Sequence, residues 1–371
     1  MTHTPTEHAG PMVQLLDEHG IRRDDPDYPL EISDDQLRGL YRDLMLVRRL
    51  DVEATALQRQ GELGLWASAA GQEGAQIGAG HALRAQDFVF PTYREHGVAW
   101  VRAVDPLDIL GLFRGVNLAG GWDPARHNLN LYTLVIGSQT LHSVGYAMGV
   151  QRDGSVGSGD DASDTAVLAF FGDGASSQGD TNEAFVWAAA ANLPVVFFCQ
   201  NNQWAISEPV ERQSRIPLYR RAAGFGFPGV RVDGNDVLAC LAVTRRALDD
   251  ARSGQGPTLI EAYTYRMAPH TTSDDPTRYR DADEVARWAA RDPIDRLRRY
   301  LTSIGALDEA FAASVEAEGD ELAVRVRAGV RAMPEPDPLS AFDHVYAQPT
   351  AELLAQREQL REFLDSLEEA V

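Results

Sequence analysis

The chain has 371 residues, 44% of them hydrophobic and 24% charged, and a formal net charge of -21. That is the composition of a globular protein with one large domain or two smaller ones, able to bury a core without disulfides or structural metals. The acidic balance argues against nucleic-acid binding through a general positive field, while helix N-termini and a bound cation can still build a local anion site.

In chain order, residues up to about Leu30 are polar, carry prolines and lack periodicity, so residues 1–32 are expected to form a mobile arm. The arm has neither the arginine-rich, acid-poor look of a transit peptide nor the apolar core of a secretory signal. Ser33-Asp34-Asp35 opens a helix in which Leu37, Leu40, Tyr41, Leu44, Val47 and Leu50 recur at helical spacing. A Gly-rich section runs from Gly61 to Gly80, and a Gly, Ser and Asp-rich loop from Gln151 to Asp164. Ala166 to Phe171 is a continuous apolar run, as expected of a strand buried on both faces. It ends in Gly172-Asp173-Gly174. Asp180 and Glu183 have capping-box-like spacing and predict a helix through Ala191, stopped by Pro194. Val195 to Cys199 is a second buried strand. The βαβ unit implies an α/β fold with a parallel sheet flanked by helices. Further strands are expected over Gly229 to Asp233 and Thr258 to Tyr265, with a helix between them from about Asp236. Leu353, Leu360, Leu364 and Leu367 share one face of a C-terminal helix within residues 346–371. Residues 33–345 are then the main domain. Cys199 and Cys240 form no CxxC pair, which argues against a disulfide framework or zinc site. The most apolar stretch, Ala184 to Cys199, is too short to span a bilayer, so a cytoplasmic protein with no membrane contact is expected.

A strand that ends in Gly-Asp-Gly puts a carboxylate at the carboxyl edge of a parallel sheet, where α/β proteins bind ligands. The glycines allow a tight turn and close approach to an anion, and the next helix points amides the same way. The second strand ends in Asn201-Asn202 at the same edge. One Asp, one Asn and a backbone carbonyl make an oxygen-rich set suited to Mg²⁺, which completes its shell with water and phosphate oxygens.

The pair Gly172-Asp173-Gly174 and Asn201-Asn202 resembles the thiamine diphosphate signature. From about residue 35 to 345 the chain resembles the alpha subunit of the decarboxylating component of pyruvate and branched-chain 2-oxo acid dehydrogenase complexes. The segments that carry the resemblance are Gln58 to Trp66, Gly71-Gln-Glu-Gly74, Tyr93-Arg94-Glu95, Val135 to Gln139, Asn201 to Ser207, and His270 to Asp275 followed by Tyr279-Arg280. The resemblance implies a thiamine diphosphate-binding, transketolase-like fold. It implies that Asp173, the Asn202 side chain and the Trp204 carbonyl ligate Mg²⁺; Trp204 stands where a Tyr is expected, but a carbonyl ligand does not depend on the side chain. It implies that Arg94 and Tyr93 reach the diphosphate, that Gly172, Gly174 and Ala175 line the phosphate turn, and that Ile136 wedges under the bent cofactor. His270 is the expected catalytic group, touching cofactor or substrate, and Leu65 and Trp66 are expected in the acyl pocket. Thr271, Thr272 and Ser273 occupy a loop that animal relatives phosphorylate; without the matching serine at Thr271, no such control is expected.

In the resembled family a glutamate that activates the cofactor comes from a separate beta subunit. Glu95, next to the diphosphate arginine, is out of place for that task, and this chain is expected to hold one cofactor-binding domain. An α₂β₂ assembly is implied, with acyl transfer to a lipoyl-bearing transacylase. The uninterrupted His270 to Asp275 loop and Gln58 to Gly61 favour a branched-chain substrate, 3-methyl-2-oxobutanoate, with pyruvate as the alternative. A self-sufficient thiamine enzyme, a non-catalytic structural subunit and a nucleotide-binding regulator are the competing readings; the last is disfavoured because no GxGxxG follows a strand in the first half.

Overall fold

The structure, a computed structural model, describes residues 10–116 and 121–368. Three strands, β1 (Phe88–Phe90), β2 (Val167–Gly172) and β3 (Val195–Asn201), precede a small antiparallel hairpin of β4 (Trp204–Ala205) and β5 (Glu208–Pro209). β6 (Gly229–Asp233) and β7 (Thr258–Tyr263) follow. The main sheet has the order β1-β2-β3-β7-β6, and every neighbouring pair in it is parallel. The parallel sheet flanked by helices is the expected α/β architecture. β1 was not legible in the sequence, because three residues carry no periodic signal.

The first helix, Asp34–Arg59, starts where the sequence predicts. Ser33 and Gln36 cap each other, Gln36 N–H donating to Ser33 Oγ at 3.3 Å and Ser33 N–H to Gln36 Oε1 at 3.0 Å. All six periodic residues from Leu37 to Leu50 are buried. The helix Gly179–Ala191 also forms, ending on Asn192 in the left-handed conformation. Its expected capping box does not form, because Asp180 lies inside the first turn and Gln178 is the N-cap residue. The chain instead leaves β2 through a 3₁₀ turn, Gly174–Ser177, which Thr181 Oγ1 ties to the helix by donating to Ala175 O at 2.9 Å.

The described part of the expected N-terminal arm is packed. Val13 bridges to Val232, its N–H donating to Arg231 O at 2.9 Å. Leu15 and Leu16 are buried, and both their N–H groups donate to Asp236 Oδ2, at 2.7 and 2.5 Å. The short apolar cluster Met12, Val13, Leu15 and Leu16 has neither helical nor strand periodicity by which a sequence pattern could reveal this. Residues 1–9 lie outside the described part.

One face of the sheet packs Phe171, Phe197 and Phe88 against Phe185, Val144 and Ala147 of the helices Gly179–Ala191 and Ser138–Arg152. The helix Val237–Arg252 packs on β3, β6 and β7 and lies against the helix Glu73–Ala82. Gly78 allows that approach, since a Cβ there would lie 2.6 Å from Val237 O and 2.7 Å from Cys240 Cβ. Gly71 has φ +92, and a Cβ there would lie 2.3 Å from Tyr265 O. Close packing and this turn together bring Gln72, at the start of the helix, to the carboxyl edge of the sheet.

The described residues fall into two compact units, the first ending at Val330 and the second starting at Arg331. In the second, the C-terminal helix is Ala351–Glu368, with Leu353 buried. Among the described residues no helix is long and apolar enough to cross a membrane.

Asp87 fixes the entry of β1 and β2. Its carboxylate is 0% exposed and accepts from Arg84 N–H at 2.7 Å and Ala166 N–H at 3.0 Å. It also pairs with the buried Arg252 guanidinium through both oxygens. Arg252→Met should leave this charge buried without its partner and cost about 3–5 kcal/mol of stability. Denaturant unfolding checks it, and an unchanged midpoint would refute the anchoring role.

Candidate active site

The strand register builds the site. Gly172 pairs with Gln200, and Asn201 pairs with Tyr263, so β2, β3 and β7 stop level at one edge. The residues that follow each strand open into a cleft of about 290 Å³, at the lower end of the range of small-ligand and cofactor sites. Tyr93, Arg94, Ile136, Gly172, Asp173, Gly174, Ala175, Asn202, Trp204 and His270 all line it. These residues, drawn from five separate stretches of sequence, are brought together.

Asp173 is buried at the end of β2 and accepts from Gln213 Nε2 at 3.0 Å. Burial pushes its carboxyl up to about 6, against the lowering effect of Gln213. A buried carboxylate in this state gains from a cation beside it. Asn202 donates through Nδ2 to Gln72 Oε1 at 3.1 Å, and its Oδ1 accepts from Trp204 N–H at 3.3 Å. The Trp204 carbonyl accepts from Arg266 Nη1 at 2.7 Å and keeps a second lone pair. A carboxylate, an amide oxygen and a carbonyl are a hard oxygen set of the kind Mg²⁺ takes. Among the described residues no group of three His, Cys, Asp or Glu side chains could hold a metal, which leaves this mixed set as the candidate.

His270 sits between two guanidiniums. Its Nδ1 is 3.4 Å from Arg94 Nη2 and 3.3 Å from Arg266 Nη1, while its Nε2 lies 3.4 Å from the Tyr93 hydroxyl. Two cationic donors facing Nδ1 leave the imidazole proton on Nε2, with the Tyr93 oxygen as acceptor. Burial first, then Arg94 and Arg266, hold the imidazole down to about 3, with Asp274 opposing. Arg266 is itself lowered to about 10 by burial and by Arg94. Arg94 donates to Ser68 O at 2.6 Å and to His270 O at 2.7 Å, so it fixes the His270 loop as well as charging the cleft.

That loop is held from below. His270 N–H donates to Asp274 Oδ2 at 2.9 Å, and the Tyr279 hydroxyl donates to the same oxygen. Thr272 N–H donates to Trp66 O at 3.0 Å, and Trp66 N–H to Thr272 Oγ1 at 2.9 Å. This corrects the expectation for Trp66. Its side chain is 0% exposed, donates through Nε1 to Asp51 Oδ1 at 3.0 Å and stacks on His96 with ring centroids 4.2 Å apart. An indole N–H needs a buried acceptor, and Asp51 supplies it away from the cleft. Leu65, 41% exposed, does not line the cleft either.

Five cleft residues were missed as ligand-facing groups. Glu95 is buried, accepting from Thr92 N–H at 2.5 Å, Thr92 Oγ1 at 2.6 Å and Gln200 Nε2 at 2.5 Å; burial raises its pKa. Gln200 accepts from Gln76 Nε2 at 3.1 Å. Arg266 gave no sequence signal, whereas Gln72 and Gln139 lay inside the Gly71-Gln-Glu-Gly74 and Val135 to Gln139 segments that the resemblance already marked. Gln72 Nε2 and Gln139 Oε1 are buried and have no hydrogen-bond partner among the described residues. A donor and an acceptor left open in one cleft are what a bound polar ligand satisfies.

Residues 41–337 match the model of the family described as "Dehydrogenase E1 component". The chain is 46% identical over 350 residues to the 3-methyl-2-oxobutanoate dehydrogenase subunit alpha of Mycobacterium tuberculosis, covering 94% of this chain and 93% of that protein. It is 38% identical over 306 residues to the pyruvate dehydrogenase E1 component subunit alpha of Staphylococcus aureus, covering 80% of this chain and 78% of that one. The chain therefore belongs to the dehydrogenase E1 component family of oxidoreductases.

Proposed function

We propose that this chain is the alpha subunit of a 2-oxo acid dehydrogenase, and that it holds thiamine diphosphate through a Mg²⁺ ion. The observation that carries the reading is the convergence of Asp173, Asn202 and the Trp204 carbonyl at the ends of adjacent strands, with Arg94 and His270 lining the same cleft. The donor set fits the ion, and the open Gln72 and Gln139 atoms fit a ligand with both acceptors and donors. Asp173, Asn202 and Trp204 would hold Mg²⁺. Tyr93, Arg94, Gly172, Gly174 and Ala175 would hold the diphosphate, and Ile136 the body of the cofactor. When bound, thiamine diphosphate supplies the electron sink that decarboxylation of a 2-oxo acid needs.

The protein groups do the rest. His270 is neutral across physiological pH, so it can donate a hydrogen bond from Nε2 to a substrate carboxylate or a developing oxyanion without itself carrying charge. Arg94 and Arg266 supply positive charge beside it. Among the described residues, Asp173 and Glu95 are the carboxylates that line the cleft. Asp173 is assigned to the cation, and both Glu95 oxygens are engaged. The carboxylate that activates the cofactor is therefore assigned to a beta subunit in an α₂β₂ assembly, and the acyl group to a lipoyl-bearing transacylase. The family match over residues 41–337 supports a catalytic domain over 33–345, between the N-terminal segment 1–32 and the C-terminal segment 346–371. A cytoplasmic location is part of the same proposal. The higher identity to the 3-methyl-2-oxobutanoate enzyme supports a branched-chain substrate, and the Staphylococcus aureus relative keeps pyruvate as the second reading. Assay of the αβ enzyme with both acids tests this: a larger kcat/KM for 3-methyl-2-oxobutanoate is expected, and turnover of neither acid would overturn the reading.

Asp173→Asn should remove Mg²⁺-dependent thiamine diphosphate binding while raising the melting temperature of the ligand-free protein above pH 6. The sign follows from the raised carboxyl. Between its ordinary value of 3.8 and about 6 the folded state binds more protons than the unfolded state. Stability therefore falls as pH rises through that window, by on the order of 3 kcal/mol. Calorimetric titration and a melting series from pH 4 to 8 check both halves; full cofactor affinity in the variant would remove Asp173 from the ligand set.

His270→Ala should lower turnover at least about tenfold, with cofactor affinity changed less. Because the folded-state imidazole is held near 3, the unfolded state binds more protons between about 3 and 6.5. Its contribution to stability is present above 6.5 and lost as pH falls through that window. An imidazole resonance that titrated near 6.5 in the folded ligand-free protein would contradict the neutral state assigned here.

A further inference from the structure

Gln72 stands at the start of the helix Glu73–Ala82 with a side chain that reaches no solvent to speak of; the residue is 1% exposed. Its backbone N–H is already used, donating to Ala69 O at 2.9 Å. Its position is over-determined: Gly71 before it packs on Tyr265 O, Gly74 after it packs on Gly234 O, and Gly78 packs on Val237 O. The side-chain amide is half satisfied. Oε1 accepts from Asn202 Nδ2 at 3.1 Å, while Nε2, which is buried, has no partner among the described residues. Gln72 is one of the residues that line the cleft.

Two consequences follow from amide chemistry. Asn has a donor end and an acceptor end of nearly equal shape, so an Asn that must offer oxygen to a cation needs a partner that fixes which end is which. The Gln72 oxygen does this by taking the Asn202 Nδ2 hydrogen, which leaves Oδ1, accepting from Trp204 N–H at 3.3 Å, with its second lone pair for a cation. A buried amide N–H without an acceptor is destabilising, and an anionic oxygen is the acceptor that recovers most. We propose that Gln72 is a positioning and binding residue of this site: it sets the orientation of the Asn202 amide and donates Nε2–H to an anionic oxygen of the bound diphosphate. This rests on the reading of the cleft as a Mg²⁺–diphosphate site and adds a residue to it.

The test uses the assembled enzyme, with Mg²⁺ and thiamine diphosphate as probes in calorimetric titration. Wild type is titrated first; if it shows no Mg²⁺-dependent binding, the reading of the cleft fails, which is a different outcome from failure of this inference. Gln72→Met keeps the side-chain length without either polar end. It is expected to bind at least about tenfold more weakly and to need more Mg²⁺ for half-saturation, with an unchanged ligand-free melting temperature. In an Asn202→Asp background both ends of residue 202 are oxygen, so nothing remains to be oriented. Gln72→Met should then cost a smaller factor, a non-additivity that a merely structural role would not produce. Gln72→Glu serves as the second variant, retaining the acceptor and losing the donor, and should also weaken thiamine diphosphate binding. Wild-type affinity in Gln72→Met, or in Gln72→Glu should the Met variant fail to assemble, overturns the proposal. Equal losses in the Asn202 and Asp backgrounds overturn the positioning role.

Discussion

Gly172 pairs with Gln200 and Asn201 with Tyr263, and the level ending of three parallel strands that results is the constraint on which the site depends. A shift of one residue between β2 and β3 would turn every side chain of one strand to the opposite face. It would also carry Asp173 away from Asn202. The register is fixed by burial on both faces, since every residue of β3 is buried and β2 is buried through Phe171. The chemistry at the edge is thus located by the hydrophobic core, and the polar residues need only occupy the positions where the strands stop.

Placing charge at such an edge has a cost, and the cleft shows how it is divided. Asp173 and Glu95 are buried carboxyls raised by desolvation, and Arg266 is a buried guanidinium lowered by it. Glu95 is compensated inside the protein by Thr92 and Gln200. Asp173 has one side-chain donor, Gln213, and Arg266 spends its donors on the carbonyls of Trp204 and Ile206. The carboxylate left least compensated is the one best placed for a cation. Inside the cleft the charge balance is set by Arg94 and Arg266 against Asp173 and Glu95.

Much of this is legible in the sequence, and the parts that are not share a physical cause. β2 and β3 showed as apolar runs, β6 and β7 were expected from the further α/β alternation, and Asp173 and Asn202 were findable because each follows one of the two runs. The first helix was readable from its cap and its period. What escaped depended on contacts between segments remote in sequence. Trp66 reads as an apolar pocket residue until Asp51 and His96 are seen to enclose it. Arg266 carries no signal in the sequence, and only in the fold do its bonds to Trp204 O and Ile206 O join two loops. Leu15 and Leu16 belong to a segment without pattern, and only the Asp236 carboxylate reveals that they are anchored. The capping box expected at Asp180 failed because the 3₁₀ turn after Gly174, a feature with no periodicity, displaces the helix start.

The turn after β3 shows how a local strain is put to use. Gln203 has φ +71 and Ile206 φ +57, in the left-handed region that disfavours side chains by about 1–2 kcal/mol each. Gln203 is held there from every side. Its N–H donates to Asn201 Oδ1 at 3.1 Å, its Nε2 to Thr264 O at 2.7 Å, and its Oε1 accepts from the Tyr263 hydroxyl at 3.0 Å. Asn201 is in turn gripped by the buried Glu261, which accepts its Nδ2 at 2.7 Å. The reversal at Gln203 separates Asn202 from Trp204 by a single residue, yet both line the cleft. An extended residue at 203 would keep the chain running in the direction of β3 and draw the Trp204 carbonyl away from Asn202. The Trp204 ring meanwhile lies outside this geometry, tilted against Tyr279 with its Nε1 near Glu284. That is why an indole can stand where the family resemblance led to a phenol: the backbone turn presents the oxygen, and the side chain is free to pack elsewhere.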